Sequence, residues 1–254
     1  MKKLTIIFGG SIDYYDKNMG VFKEIGDVFG CSIKKIAKSK LTTKIKKINI
    51  EILFAYNPTR DKNYRVNKRY LETKWGQTVP APADEIVKKI KKSDIVLFFG
   101  HCGGFSGKPG IIYTPETFKE IFFEEAIVKH KEIIKIKPKN KIKINNILAG
   151  KMQGKKATLI TSNLTLNPSS IENNSKEHLI KLAKILSNAG DIVEKESYPV
   201  AKYFKDKVPL GVMVVCSDVL SIKKYMMDEK FNPSPKKFSK ACIKAIKIAL
   251  KKLK

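Results

Sequence analysis

Apolar residues occur along this chain in two alternating arrangements: short unbroken runs, and stretches in which they recur every three or four positions. The runs at 4–8, 94–99 and 210–216 have the continuity of buried strands, 157–161 reads as another short strand, and 191–193 is a strand-like run. Residues 48–56 alternate before turning apolar, which predicts a further strand. Helical spacing marks 83–90, 115–126 and 175–189. In the last of these Leu179, Ile180, Leu182, Ala183, Ile185 and Leu186 make the apolar side, with Asn174 or Ser175 as cap and Gly190 as stop. Residues 197–205 can be helical with Pro199 tolerated in the first turn. Pro233-Ser234-Pro235 opens a terminal helix with Phe238, Ala241, Ile243, Ala245, Ile246, Ala249 and Leu250 on its apolar side. Over 133–144 lysine alternates with isoleucine, the pattern of an edge strand or hairpin with lysine on its wet face.

Strands that alternate with helices predict an α/β class, with a central, mostly mixed, twisted sheet flanked by helices. No internal repeat or linker-like stretch interrupts the 254 residues, so 1–254 is expected to be a single domain.

The formal charge of +27 comes from 51 basic and 24 acidic residues, and clustered lysines that neutralise phosphates would bring nucleic acid into view. Only three of the basic residues are arginine, and the lysines spread through every segment without the aromatic-basic pattern of RNA recognition. No specific nucleic-acid partner is therefore expected, although the charge still steers anionic substrates. Cys31, Cys102, Cys216 and Cys242 lie far apart, with no Cys-x-x-Cys pair and mostly apolar surroundings. This predicts reduced core thiols and no metal centre. No apolar run approaches the length of a membrane span, and the run after Met1 is too short for a secretory signal, so a cytoplasmic location without a membrane partner is expected.

Three strand ends carry residues that chemistry uses. Gly100-His101-Cys102-Gly103-Gly104 follows the run at 94–99, Val193-Glu194-Lys195-Glu196-Ser197 follows 191–193, and Cys216-Ser217-Asp218 closes 210–216. In α/β sheets ligands collect outside the carboxyl ends of the strands. Gly9 and Gly10, after the first strand, either let the backbone approach a ligand or make a tight turn. His101 is either a neutral partner for water or an anion, or a hydrogen-bonded strand-end histidine. The amides of Gly103 and Gly104 would complete an anion nest. Arg60, Arg65 and Arg69 all fall in or beside the polar loop at 57–68, where they fit either an oxyanion contact or chance clustering.

Taken in order, the three segments resemble the signature regions of the purine and uridine phosphorylase superfamily, whose members break the N-glycosidic bond of nucleosides. The local likeness is strongest to the catalytic domain of AMP nucleosidase, through Gly100 to Gly104, Val208-Pro209-Leu210-Gly211 and Cys216-Ser217-Asp218. The resemblance runs from Leu4 to the terminal helix, includes Gly9 and Gly10, and is poor from about 105 to 156. It implies a nucleoside phosphorylase-like fold, a homo-oligomer and a small-molecule nucleoside or nucleotide as partner.

The resemblance also implies roles. Within the catalytic pair Ser217-Asp218, Asp218 is the general acid that protonates the purine, and Glu196 grips the ribose hydroxyls. Ser162, Lys195 and Leu166 line the substrate, with Leu166 where relatives place an aromatic residue against the base. Gly9, Gly10, Gly100, His101, Gly103, Gly104 and Arg60 hold phosphate or the nucleophile. Breaking a ribosyl bond develops oxocarbenium character on the sugar and negative charge on the base, which is why an acid must meet the base and an anion the sugar.

Two departures matter. Lys195 replaces a methionine common in the family, and it either points into solvent, pairs with Glu194 or binds an anion. Phe98 stands where some relatives carry a phosphate-binding arginine, which tilts the expectation toward hydrolysis. No cofactor is implied, and inorganic phosphate is a candidate co-substrate. The alternatives are a phosphorolytic nucleoside phosphorylase and, from another class, a non-catalytic relative that binds a nucleoside or nucleotide.

Overall fold

The computed structural model describes residues 1–10, 12, 14–37, 40–55, 71–73, 76–78, 87–88, 90, 92–122, 137–162, 164–165, 184–194, 196–219 and 235–254. Strand β1 (Lys3–Phe8) leads through a π-turn (Tyr14–Asn18) into helix α1 (Val21–Phe29), followed by β2 (Lys34–Ala37), β3 (Lys40–Ile45) and β4 (Ile48–Phe54). After β5 (Leu71–Thr73) and β6 (Gly76–Thr78) come the long β7 (Ile95–Gly104), β8 (Ile112–Tyr113), β9 (Thr117–Phe122) and β10 (Lys137–Lys143). Then follow β11 (Thr158–Ser162), β12 (Leu164–Thr165), β13 (Ile192–Glu194), helix α2 (Ser197–Phe204), β14 (Leu210–Val219) and helix α3 (Pro235–Lys252).

Eleven of these strands form one mixed sheet in the order β10-β9-β11-β13-β7-β1-β4-β3-β2, with β14 paired to β7 and β8 to β14. The strands β12, β6 and β5 make a small separate sheet. The predicted α/β class with a central mixed sheet is the one observed. Both faces of the sheet are covered, which is why its central strands read as continuous apolar runs. On one face Leu4, Ile6 and Phe8 of β1 join Leu97 and Phe99 of β7, Met213 and Val215 of β14, and the apolar sides of α1 and α3. On the other, Ile7, Val96, Phe98, Val212 and Val214 pack with Tyr198, Val200, Ala201 and Phe204 of α2.

Strand β7 organises the sheet. Its first half pairs in parallel with β1, from Leu4↔Ile95 to Phe8↔Phe99, and nearly its whole length pairs in parallel with β14. Its last two residues pair antiparallel with β13, as Val193↔Gly103 and Ile192↔Gly104. Between leaving β1 and meeting β13 a gap opens along β7, bounded by Gly9 after β1 and Glu196 after β13. Buried Asn146 closes a second discontinuity with its whole side chain: Nδ2 donates to the carbonyls of Pro115 and Val212 at 2.8 Å, and Oδ1 accepts from the amides of Leu148 and Val212 at 3.1 Å.

Several predicted elements change. The helix expected at 115–126 is strand β9, hydrogen-bonded in parallel to β11 and antiparallel to β10. Phe118, Ile121 and Phe122 fit helical spacing, but Phe118 and Ile121 are both fully buried because both faces of the sheet are covered there, and a short apolar pattern cannot choose between the two forms. Its Thr, Phe and Ile content suits a pleated surface. The lysine-isoleucine alternation does become the edge strand β10, with 133–136 outside the described residues. Nothing in the pattern marked β2, because every residue of that edge strand is exposed.

Of the helix expected at 83–90 the structure describes 87–88 as helical, and of that at 175–189 it describes 184–187. The amide of Gly190 donates to the Leu186 carbonyl at 3.2 Å, so the predicted stop is used. Cys102, Cys216 and Cys242 are buried and all four cysteines are free thiols. No described helix is long and apolar enough to cross a membrane.

Candidate active site

At the end of β13 the Val-Glu-Lys-Glu segment divides its two described carboxylates between different tasks. Glu194 is buried, and its Oε2 accepts the amides of Glu196 at 2.6 Å and Ser197 at 2.8 Å. Its Oε1 accepts the Ser197 hydroxyl at 2.8 Å and the hydroxyl of Thr161 from β11. Thr161 Oγ1 in turn accepts the amide of Tyr198 at 3.0 Å. The unpaired donors that open α2 are thus satisfied by residues outside the helix. Burial raises the pKa of Glu194, and the hydrogen bonds from Thr161, Glu196 and Ser197 oppose that rise.

Glu196 stands at the N-cap position of α2 without capping it through its side chain. Its Oε2 instead lies 3.4 Å from the point a Cβ on Gly9 would occupy, at the gap between β1 and β13. The two backbone amides at the start of α2 are held by Glu194 and not by Glu196.

The glycines at the gap serve this chain's own aromatic rings. A Cβ on Gly9 or Gly100 would stand 2.9 Å from the ring of Phe98, and one on Gly10 would stand 2.9 Å from the ring of Tyr15. Real Cβ atoms do not approach this closely, so the ring positions require glycine. Phe98 itself is fully buried.

The segment Gly100 to Gly104, expected to follow the strand at 94–99, is instead the second half of β7. Gly103 and Gly104 are ladder residues between β13 and β14, so the anion nest expected of their amides does not form; a nest needs successive amides in a turn conformation.

Asp218 reaches the strand end through a β-bulge. Cys216 pairs with Cys102 and Asp218 with Gly103, which leaves Ser217 as the extra residue of β14. The buried Ser217 hydroxyl donates to the Cys102 carbonyl at 3.3 Å and so ties the bulge to β7. The bulge sets Asp218 opposite Gly103, at the level where β13 joins.

His101 lies on β7 between these points, in a stack of rings. Phe238 of α3 is parallel to it with centroids 4.7 Å apart, Tyr15 is near-parallel at 5.9 Å, and Tyr14 meets its edge at 5.5 Å. Its Nδ1 is 3.5 Å from the Tyr15 hydroxyl. Its Nε2 is buried and has no hydrogen-bond partner among the described residues. Burial alone lowers its pKa to about 4, so the imidazole is neutral at neutral pH.

Thus the fold brings Gly9, Gly10, Gly100, His101 and Glu196 to the strand ends, with Ser217 and the backbone of Asp218 on the neighbouring strand. Ser162 ends β11, where its backbone pairs with Ile121. Arg60, Arg65, Arg69, Leu166 and Lys195 lie outside the described residues. Tyr14 and Tyr15 were not singled out from the sequence. The available signal was a pair of aromatic residues just beyond a glycine pair.

No protein-family model matches the chain, and no curated protein matches it in sequence. Solved structures do match along its whole length. The 5′-methylthioadenosine/S-adenosyl homocysteine nucleosidase of Campylobacter jejuni superposes with a TM-score of 0.62 at 13% identity, over 99% of this chain and 100% of that one. The chain has the fold of such nucleosidases. A futalosine hydrolase mutant of Helicobacter pylori gives a TM-score of 0.60 at 12% identity, covering 97% and 99% of the two chains. The 5′-methylthioadenosine nucleosidase of Arabidopsis thaliana gives 0.57 at 15% identity, covering 98% and 95%. This is the fold expected from the resemblance to the purine and uridine phosphorylase superfamily.

Proposed function

We propose that this protein hydrolyses the N-glycosidic bond of a purine nucleoside or nucleoside monophosphate. Residues 1–254 act as one catalytic unit, in a homo-oligomer. Glu196 accepts hydrogen bonds from the ribose hydroxyls and holds the ring for attack. Asp218 donates a proton to the departing base, and Ser217 keeps the bulge that presents it. His101 faces the nucleophile, and Gly9, Gly10 and Gly100 set the shape of the gap. Arg60, Lys195, Leu166 and Ser162 remain candidate contacts to phosphate and substrate.

The observation that carries this reading is the placement of Glu196: its carboxylate stands against Gly9, at the carboxyl end of β1, while a second glutamate two residues earlier does the structural work. Support for the reaction type comes from the solved structures of like fold, which are named as nucleosidases and a hydrolase. Water is favoured over phosphate because Phe98 fills the core where some relatives carry a phosphate-binding arginine.

The test is product analysis with adenosine, 5′-methylthioadenosine and adenosine monophosphate, each with and without inorganic phosphate. Free base and free sugar in phosphate-free buffer are expected. Strict phosphate dependence yielding ribose 1-phosphate would overturn hydrolysis, and intact substrates after long incubation would leave the binding-only alternative. Asp218→Asn is expected to slow the reaction by roughly 10²- to 10⁴-fold, the usual contribution of a positioned acid.

A further inference from the structure

A neutral imidazole has one donor and one acceptor nitrogen, and which is which decides what His101 can do. No described carboxylate or ammonium group contacts it. The groups around it are Tyr14 and Tyr15 of the π-turn and Phe238 of α3. The parallel Phe238 ring and the edge of Tyr14 hold its plane, and Tyr15 supplies a single polar neighbour, at Nδ1.

Two hydrogen-bond arrangements are open. If Nδ1–H donated to the Tyr15 oxygen, the phenolic O–H would lose its acceptor, and Nε2 would also stay bare, leaving two buried polar groups unpaired. If Tyr15 O–H donates to Nδ1, only Nε2 is left, and it carries the hydrogen. Every buried unpaired group is destabilising, so the second arrangement, with one such group and not two, wins. Burial, with Tyr14, Glu196 and Cys242 adding to it, raises the Tyr15 pKa well above its ordinary value, so the proton it needs to donate stays on. The 3.5 Å separation is long, as such contacts often are before a substrate arrives.

We propose that Tyr15 is a positioning residue that holds His101 in its Nε2–H tautomer, so that His101 donates a hydrogen bond to an oxygen at the strand ends and accepts no proton. The Nε2 of His101 is the only nitrogen among the buried side-chain atoms that lack a partner in the described residues, so the structure has a donor site waiting for an acceptor. An oxygen lone pair of the attacking water, or of a phosphate in its place, has the matching chemistry. This inference rests on the proposed hydrolysis for the identity of that oxygen, but not for the tautomer.

The chain contains three histidines, so ¹⁵N-histidine labelling and two-bond proton–nitrogen correlation spectra resolve His101, assigned as the signal lost in His101→Gln. The expected pattern is a neutral Nε2–H ring unchanged from about pH 8 to about pH 5, and in Tyr15→Phe a shift of population toward Nδ1–H. An Nδ1–H ring in the wild type, or an imidazolium at pH 6, overturns the proposal. So does a tautomer indifferent to Tyr15→Phe in a protein that melts normally. A shift of the Nε2 signal on adding inorganic phosphate assigns the acceptor to phosphate, and its absence assigns it to water. His101→Gln, which keeps an N–H donor, is expected to retain kcat/KM within about tenfold, while His101→Ala loses about 10²-fold or more, the usual cost of one such donor. An inactive protein with the expected tautomer would sink the proposed hydrolysis and leave this inference standing. An active one with Nδ1–H would do the reverse.

Discussion

Two polar side chains at the same end of the sheet, the buried Glu194 and the half-buried His101, are treated in opposite ways. Glu194 has both carboxylate oxygens engaged, by two amides and two hydroxyls, and it builds the start of α2. His101 has one nitrogen against Tyr15 and the other with no described partner. A folded chain satisfies the buried groups it uses for architecture, because an unpaired one costs as much as a hydrogen bond is worth or more. A buried group left open is therefore the better pointer to a ligand. Glu196, two residues beyond Glu194, lies at the gap and does not cap the helix beside it through its side chain.

Substitution sharpens the contrast. On the proposed reading, in which Glu196 accepts hydrogen bonds from the ribose hydroxyls, Glu196→Ala is expected to lower kcat/KM by roughly 10²- to 10⁴-fold with little change in melting temperature. Steady-state kinetics beside a thermal melt reads both, and equal losses of activity and stability would place Glu196 in the architecture with Glu194.

Glu194→Ala is expected to act on stability first, costing about 3 kcal/mol by stranding two amides and two hydroxyls. Glu194→Gln should cost less than Glu194→Ala. An amide oxygen can take the two N–H groups, and the hydroxyls of Thr161 and Ser197 can turn to accept from its NH₂. Urea denaturation orders the three proteins.

The pH dependence of stability reports on His101. Its folded pKa of about 4 lies below the ordinary 6.5, so between those values the unfolded chain binds the extra proton. The stabilisation is complete above about pH 6.5 and is lost as pH falls toward 4. It amounts to about 3.5 kcal/mol at most, from the difference of the two pKa values at about 1.4 kcal/mol per unit. His101→Gln should flatten the stability curve across that window, and an unchanged slope would mean that the imidazole is solvated.

The smallest effect belongs to a conventional ion pair. Burial would raise the pKa of Glu51, but Lys3 at 2.6 Å and Lys40 outweigh it and hold the carboxyl below its ordinary 4.5. Its contribution exists above about pH 4.5 and disappears as pH falls through the folded value. With solvent screening, Glu51→Gln is expected to cost no more than about 1 kcal/mol at pH 7, measured by denaturation.

Much of the fold was legible because burial on two faces leaves an apolar run: β1, β7, β11 and β14 were readable from the pattern of apolar residues. Strand β9 was misread because three apolar residues at helical spacing also suit a strand covered on both faces, and only its pairing with β10 and β11 decides between the two. The site was legible as a set of residue types at strand ends. The resemblance singled out Glu196, but the residues themselves could not, because Glu194 and Glu196 are chemically identical and differ only in what the fold places around them.

The order of residues by itself determined an α/β sheet with its polar segments after apolar strands, since both follow from local pattern and from the cost of burying unpaired backbone. Tertiary structure alone decided that Gly9, Gly10 and Gly100 make room for Phe98 and Tyr15, that Gly103 and Gly104 are ladder residues, and that His101 lies in a ring stack with one nitrogen open. These are consequences of close packing between strands and helices distant in sequence, and a side chain's exposure, partners and protonation exist only once those neighbours have arrived.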